Sequence, residues 1–249
     1  MKFNPIYYHL QHREMTEDLP FWKRMAKEMG NPILELGCGT GRVLHPLIEA
    51  GYDVSGIDIS YQALHFLRKQ SSEQQASELK LFQADFERYH LAKKFSLVIM
   101  ACNTLSTFPR INLIKVFTGV NRHLLENGVF AASMPNPSYL ASLPEEGDSE
   151  VEGSFLHPES ANPIQVSSGW QRVDQSIAIT WHYDHLLPDG QVARETVEIM
   201  HYLTQKDEYL AELQAADLIP VEILGDFDRS EYHGDSPYLI LVAGKRTRF

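Results

Sequence analysis

Basic side chains are scarce in this chain: 22 lysines and arginines stand against 33 aspartates and glutamates, a formal net charge of −11. Gripping a nucleic-acid backbone needs clustered cations, so no nucleic-acid partner is expected. The one local reversal, Lys245-Arg246-Thr247-Arg248, reads as a solvated end. Long apolar runs are missing too. None approaches the roughly 20 residues that cross a bilayer, and Met1-Lys2-Phe3-Asn4-Pro5 offers no apolar signal core. No membrane partner is expected either. Cysteine is limited to Cys38 and Cys102 in 249 residues, which points to a reducing, cytoplasmic setting. Both fall at the carboxyl ends of strands expected to be neighbours, and both read as ordinary thiols lining a pocket. What is present is ample apolar material, 43% of the chain, enough for one α/β domain with an insertion.

The chain is organised around Ile33-Leu34-Glu35-Leu36-Gly37-Cys38-Gly39-Thr40-Gly41-Arg42. It reads as a short apolar strand, a turn with glycine at alternate positions, then a helix to about Ala50. A second strand, residues 52–57, ends in Asp58. Gly37, Gly39 and Gly41 allow a sharp turn and close backbone approach to a ligand. The helix that follows presents free N–H groups to an anionic group, and Asp58 stands where a carboxylate accepts from both ribose hydroxyls. A dinucleotide fingerprint needs a third glycine at the position held by Arg42, which weighs against a nicotinamide oxidoreductase.

The pattern E-x-G-x-G-x-G with an acid at Asp58 closely resembles motif I of the class I S-adenosylmethionine (SAM)-dependent methyltransferases. The resemblance implies a doubly wound, mostly parallel seven-stranded sheet with an antiparallel last strand. It implies SAM as cofactor, held by Glu35, Gly37, Gly39, Gly41, Asp58 and Ile59. The acid after the third strand, Asp85, would meet the adenine amino group and Phe86 would frame the base. The segment after the fourth strand, Ala101 and Asn103, would face the methyl group. Asn103-Thr104-Leu105-Ser106 is not an Asn-Pro-Pro-Tyr motif, which argues against methylation of a DNA adenine.

Along the chain, residues 1–18 show no helical stripe. A helix over 19–29 is expected, with Asp18 as N-cap and Pro20 in its first turn. Ser60 caps a helix to about Gln70, and a polar linker over 71–77 leads to a strand over 79–84. The apolar run 95–101 predicts a strand buried on both faces. A helix over 111–125 and a strand over 129–134 complete the pattern. It resumes with a helix over 207–217 and strands over 219–224 and 238–245. Between them, the acidic residues 145–152 read as an exposed loop. Period-two alternation then sets Ile177, Ile179, Trp181 and Tyr183 on one face, with a turn at Leu187-Pro188-Asp189-Gly190. This is an inserted antiparallel β subdomain, which in many small-molecule methyltransferases roofs the acceptor pocket and sometimes makes a homodimer. The expected division is a cap at 1–30, a SAM-binding domain at 31–136 and 206–249, and the insert at 137–205.

His182 and His185, three apart on a strand, face opposite ways, so no metal site is read there. Candidate catalytic residues are Tyr8, Asn103 and His201, with His9, Tyr139, His157 and His233 behind them. By resemblance Tyr7 and Tyr8 fold over the cofactor, where aromatic faces suit a sulfonium. Residues 226–232 line the pocket rim or form a plain loop. The leading expectation is methyl transfer to a small-molecule amine or hydroxyl. The alternatives are a protein acceptor and a SAM-binding sensor or partner without turnover.

Overall fold

The computed structural model describes residues 4–72 and 79–246. Most of the linker expected over 71–77, the Met1 to Phe3 start and the Thr247-Arg248 end of the basic tail lie outside the described residues. Helices α1 (Pro5–His12) and α2 (Leu19–Met29) lead into strand β1 (Ile33–Leu36). Then come α3 (Leu44–Glu49), β2 (Val54–Asp58), α4 (Tyr61–Gln70), β3 (Lys80–Gln83) and β4 (Phe95–Met100). Helix α5 (Arg110–His123) runs directly into β5 (Leu124–Pro135). A short α6 (Pro137–Ser142) introduces β6 (Glu146–Leu156), β7 (Pro163–Val173), β8 (Ser176–Leu186) and β9 (Val192–Tyr202). The described chain closes with α7 (Lys206–Ala215), β10 (Leu218–Leu224) and β11 (Tyr238–Lys245).

Seven strands make one sheet in the order β10-β11-β5-β4-β1-β2-β3. Its pairings are parallel except those of β11, which is antiparallel to both β5 and β10. The fold is therefore the doubly wound one expected, and the strand order reverses between β1 and β4. Every residue of β1 and β4 is buried, as a central parallel strand covered on both faces requires. Phe117, Phe130 and Met100 fill one side; Phe21, Trp22, Leu44 and Ile99 fill the other. Each such side chain contributes about 1.5–3 kcal/mol on burial. Register places Glu35 between Gly56 of β2 and Ile99 of β4, at the carboxyl edge where open α/β sheets take their ligands.

The second sheet is antiparallel, β6-β7-β8-β9. The turn at Leu187 to Gly190 is present, closed by the Gly190 N–H donating to Leu187 O at 2.9 Å. The acidic stretch expected as a loop is instead the edge strand β6. Its side chains are nearly all exposed and its pairing with β7 slips twice, so no alternation marks it, and the backbone of β7 supplies the order. Residues 1–18 hold a further correction. Asn4 caps α1, its Oδ1 accepting the Ile6 N–H at 3.1 Å, with Pro5 at the first helical position. The Asn-Pro pair is a start signal in a segment whose apolar faces, Tyr7 and Leu10, are too few to form a stripe.

Candidate functional site

The turn after β1 is held by β2. Gly37 and Cys38 N–H both donate to Ile57 O, at 2.8 and 3.1 Å. Gly39 N–H donates to Asp58 Oδ2 at 2.9 Å, and Ser60 N–H to Asp58 Oδ1 at 2.8 Å. Burial raises the Asp58 pKa, against the pull of these backbone donors. Ser60 Oγ also caps α4 through the Ala63 N–H at 3.2 Å, as the sequence indicated. Gly41 has φ +90°, and a Cβ there would lie 2.4 Å from Leu67 Cδ1 and 2.9 Å from His45 Cδ2. Gly41→Ala is expected to cost about 1–3 kcal/mol from backbone strain and overpacking. The check is a lowered urea midpoint at unchanged slope.

Glu35 is 3% exposed, and its Oε2 has no hydrogen-bond partner among the described residues. Burial pushes its pKa up to about 8, opposed by the nearby Arg42. Arg42 is the hub of the site. Its guanidinium donates to both oxygens of Asp18, at 2.5 and 2.6 Å, and to Met15 O at 2.6 Å. It also reaches Cys102 Sγ, 3.2 Å from Nε and 2.6 Å from Nη2. Asp18 additionally accepts the Trp22 indole N–H at 2.9 Å. Asp18 does hold the N-cap position of α2, with Pro20 in the first turn as expected, but its side chain makes no cap bond, because Arg42 and Trp22 take both oxygens. Burial pushes the Cys102 thiol up to about 11 even beside that cation.

Beyond β4, Cys102 and Asn103 both take left-handed backbone, φ 54° and 61°, a conformation that costs energy in residues with a Cβ. Thr104 Oγ1 donates to Ala101 O at 2.8 Å and Ser106 Oγ to Asn103 O at 2.7 Å, which fixes the bend. Thr104 lies against Gly37, whose Cβ would be 3.0 Å from it, so this bend and the glycine turn abut. Ser106 Oγ is also 2.8 Å from His201 Nδ1. Burial pushes His201 down to about 4, which leaves a neutral imidazole. Ala101 is buried. At the far end, Ala84 N–H donates to Asp58 O at 3.1 Å, which brings the exposed Asp85 near that edge. The Asp85 Oδ1 accepts the Glu87 N–H at 2.9 Å, whereas Phe86 is buried in the core beside Phe108. Ile59 is 67% exposed.

Helix α1 lies across this turn. Tyr8 sits over Gly39, 3.6 Å from where a Cβ would be, and stacks on His12 with ring centres 4.0 Å apart. His9 Nδ1 is 3.3 Å from Thr40 Oγ1. Tyr7 turns away from the glycines, into an apolar cluster with Ile164, Val166, Tyr183 and Val197 of the second sheet. Asn4 Nδ2 donates to Glu195 Oε2 at 3.3 Å, and the Tyr183 hydroxyl donates to Gln11 Oε1. A small cavity of about 20 Å³ remains between helix and sheet, with Tyr8, His12, Trp181, Tyr183 and Glu195 in its wall. Trp181, Glu195, His12, Asp18 and Arg42 were not among the sequence candidates. Alternation set Trp181 and Tyr183 on one face but could not say that α1 covers it. The other histidines and Tyr139 lie apart: His157 stacks on His185, while Tyr139 and His233 are exposed. Residues 226–232 fasten elements together, Arg229 pairing with Glu28 and Glu222 and the Tyr232 hydroxyl donating to Asn136 Oδ1 at 2.7 Å. Among the described residues no three His, Cys, Asp or Glu side chains cluster as a metal site would require.

Residues 33–128 match the family model described as a methyltransferase domain. YqeM of Bacillus subtilis, provisionally named a methyltransferase, is 29% identical over 170 residues, 66% of this chain and 68% of its own. The structure of a SAM-dependent methyltransferase from Clostridium acetobutylicum superposes with TM-score 0.79 at 15% identity, covering 97% of this chain and 98% of that one. A sugar N-methyltransferase from Streptoalloteichus sp. gives TM-score 0.79 at 18% identity over 99% and 95%. The chain carries a methyltransferase domain, on the fold of the class I SAM-dependent enzymes. The residues present suit that cofactor: an unpartnered buried carboxylate atom at Glu35 and a second carboxylate at Asp58 flank a glycine turn that admits close approach.

Proposed function

We propose that this enzyme methylates a small polar molecule at an amine nitrogen. The observation that carries the reading is the seat of α1, which touches the glycine turn through Tyr8 and the second sheet through Tyr7, Asn4 and Gln11. That bridge covers the turn and the face of the second sheet with side chains, a cover suited to a small acceptor rather than to a protein surface. In this reading Glu35, Gly37, Gly39 and Gly41 hold the amino-acid end of the donor. Asp58 accepts from the ribose hydroxyls, and Ile59, Asp85 and the backbone of Phe86, whose ring is in the core, frame the adenine. Ala101 and Asn103 lie under the reacting methyl, and Tyr8 covers it. When bound, SAM supplies a methyl group already activated on a sulfonium, so the protein's work is positioning and exclusion of water.

Proton chemistry favours nitrogen over oxygen. Burial holds His12 and His201 at pKa values of about 4 and keeps the Tyr8 hydroxyl protonated. None of them is matched to taking a hydroxyl proton at neutral pH, whereas an amine can arrive from water as its free base. His201 and Asn103 then shape the pocket rather than act as bases. The test is incubation with methyl-labelled SAM and a protein-free cell extract. Labelled small molecules with equimolar S-adenosylhomocysteine support the reading. Label only in precipitated protein on adding whole extract points to a protein acceptor, and binding without turnover to a sensor.

Glu35 makes donor binding pH-dependent. Its folded pKa of about 8 lies above its ordinary 4.5, so the folded state holds a proton the unfolded state has lost. Below about pH 4.5 both states hold the proton and Glu35's contribution is fully present; as pH rises from there through about 8 only the unfolded state has released it, so that contribution is lost across this window. A cationic ammonium placed beside Glu35 favours its charged form. Donor binding is therefore expected to release a proton near pH 7 and to tighten from about pH 6 to 8. Calorimetric enthalpies that differ between phosphate and Tris buffers in proportion to their ionisation heats would show it; equal enthalpies would refute it.

A further inference from the structure

We infer that His201 is a positioning residue for methyl transfer: its Nδ1–H grips the Ser106 hydroxyl, and Ser106 in turn holds the Cys102-Asn103 bend beside the donor turn. The inference rests on the methyl-transfer reading above and adds a residue of the second sheet to the machinery of the first. Hydrogen counting fixes the direction of the chain. Ser106 Oγ lies 2.7 Å from Asn103 O and 2.8 Å from His201 Nδ1. A carbonyl oxygen only accepts, so the single hydroxyl proton is committed to Asn103. The bond to His201 must then be donated by the ring, which puts the imidazole proton on Nδ1 and leaves Nε2 bare. Burial keeps the ring neutral, its pKa pushed down to about 4, so one tautomer is selected. Ser106 and His201 are 3% and 7% exposed, which keeps water from replacing either partner.

The bend needs this support. Cys102 and Asn103 are consecutive residues with a Cβ in left-handed backbone, a conformation that persists only where the surroundings over-determine it. The ties within the segment are local: Thr104 N–H and Oγ1 both return to Ala101 O, and Ser106 N–H returns to Asn103 O. Bonds of that kind close a turn without choosing where it sits. Two contacts come from far along the chain, Arg42 at Cys102 and His201 at Ser106, 95 residues away. Arg42 follows the glycine turn. His201 stands near the end of β9, on the face that carries Val197 and Ile199 towards α1. Thr104 packs against Gly37, so the bend and the donor turn share a wall. One imidazole of the second sheet thereby places the backbone that, in this reading, lies under the reacting methyl. Misplacement there by about 1 Å costs on the order of a hundredfold in rate.

The test uses the full-length protein with isotope-labelled histidine. Nitrogen NMR is expected to show the His201 proton on Nδ1, the signal being assigned by its loss in His201→Asn. Asparagine sets an amide N–H where Nδ1–H stood, whereas His201→Phe fills the space without a donor. In His201→Phe the Ser106 amide should exchange its hydrogen about tenfold faster, the loss of one hydrogen bond. Transfer from methyl-labelled SAM to a protein-free cell extract should fall by about tenfold or more. The calorimetric Kd for SAM, set by the glycine turn and Asp58, should move by less than about threefold. His201→Asn should recover most of the exchange protection and of the transfer. A proton on Nε2, wild-type exchange or transfer in His201→Phe, no recovery in His201→Asn, or a Kd that weakens as far as the rate falls overturns the inference. A wild-type protein that transfers no label would defeat the methyl-transfer reading instead, while the tautomer and the exchange rates still decide the hydrogen-bond chain.

Discussion

Asp18→Ala is expected to lower the unfolding free energy by about 3–5 kcal/mol, the usual cost of leaving one partner of a buried ion pair alone. The Arg42 and Asp18 side chains are only 12% and 8% exposed, so water cannot replace the lost carboxylate. The substitution also strips the acceptor from the Trp22 indole N–H, in a ring fully buried against the sheet. At about 2–4 °C per kcal/mol for a chain of this size, the melting temperature should fall by roughly 6–20 °C. Asp18→Ala combined with Arg42→Met should recover part of the loss, because removing both charges ends the desolvation penalty. A single-mutant effect below about 1 kcal/mol would mean that the pair is solvated and that the hub described above is ornamental. Arg42 also steadies Cys102 at the left-handed bend, so the double variant should fold yet transfer methyl groups more slowly.

Asp58→Ala is expected to weaken SAM binding by roughly ten- to a hundredfold, the loss of one or two charge-assisted hydrogen bonds at about 1.5–3 kcal/mol. The carboxylate is committed in two ways. Each oxygen accepts one backbone N–H, from Gly39 and from Ser60, and each keeps lone-pair capacity for a ribose hydroxyl. Alanine would remove the ligand contacts and loosen the glycine turn together. Asp58→Asn separates the two effects: the amide oxygen can keep one backbone donor, while the charge is gone. Calorimetric titration with SAM and with S-adenosylhomocysteine reads both variants. An unchanged Kd for Asp58→Ala would remove Asp58 from the donor site.

Most of the larger sheet was legible because its strands are short, apolar and punctuated by glycine or acid. The run 95–101 could be nothing but a buried strand, and Ser60 announced α4. The glycine turn and Asp58 were legible for the same reason: their residue types are demanded by backbone geometry. What escaped was decided by tertiary contact. Arg42 was visible only as a missing glycine, since its partners Asp18 and Cys102 are 24 and 60 residues away. The acidic strand β6 owes its conformation to the backbone of β7 rather than to its own side chains. The register of β8 and β9 fixed which residues share a face, but the cover over that face comes from the opposite end of the chain. For that reason the sequence could not show that Glu195 and Trp181 lie under α1.

The placement of α1 carries a kinetic consequence. One short helix is shared by the glycine turn and the second sheet, its Tyr8 against Gly39 and its Asn4 and Gln11 fastened to the sheet beyond. Neither contact can be opened without disturbing the other. Entry and departure of the two ligands are thereby geared together, so turnover should proceed in a compulsory sequence instead of at random.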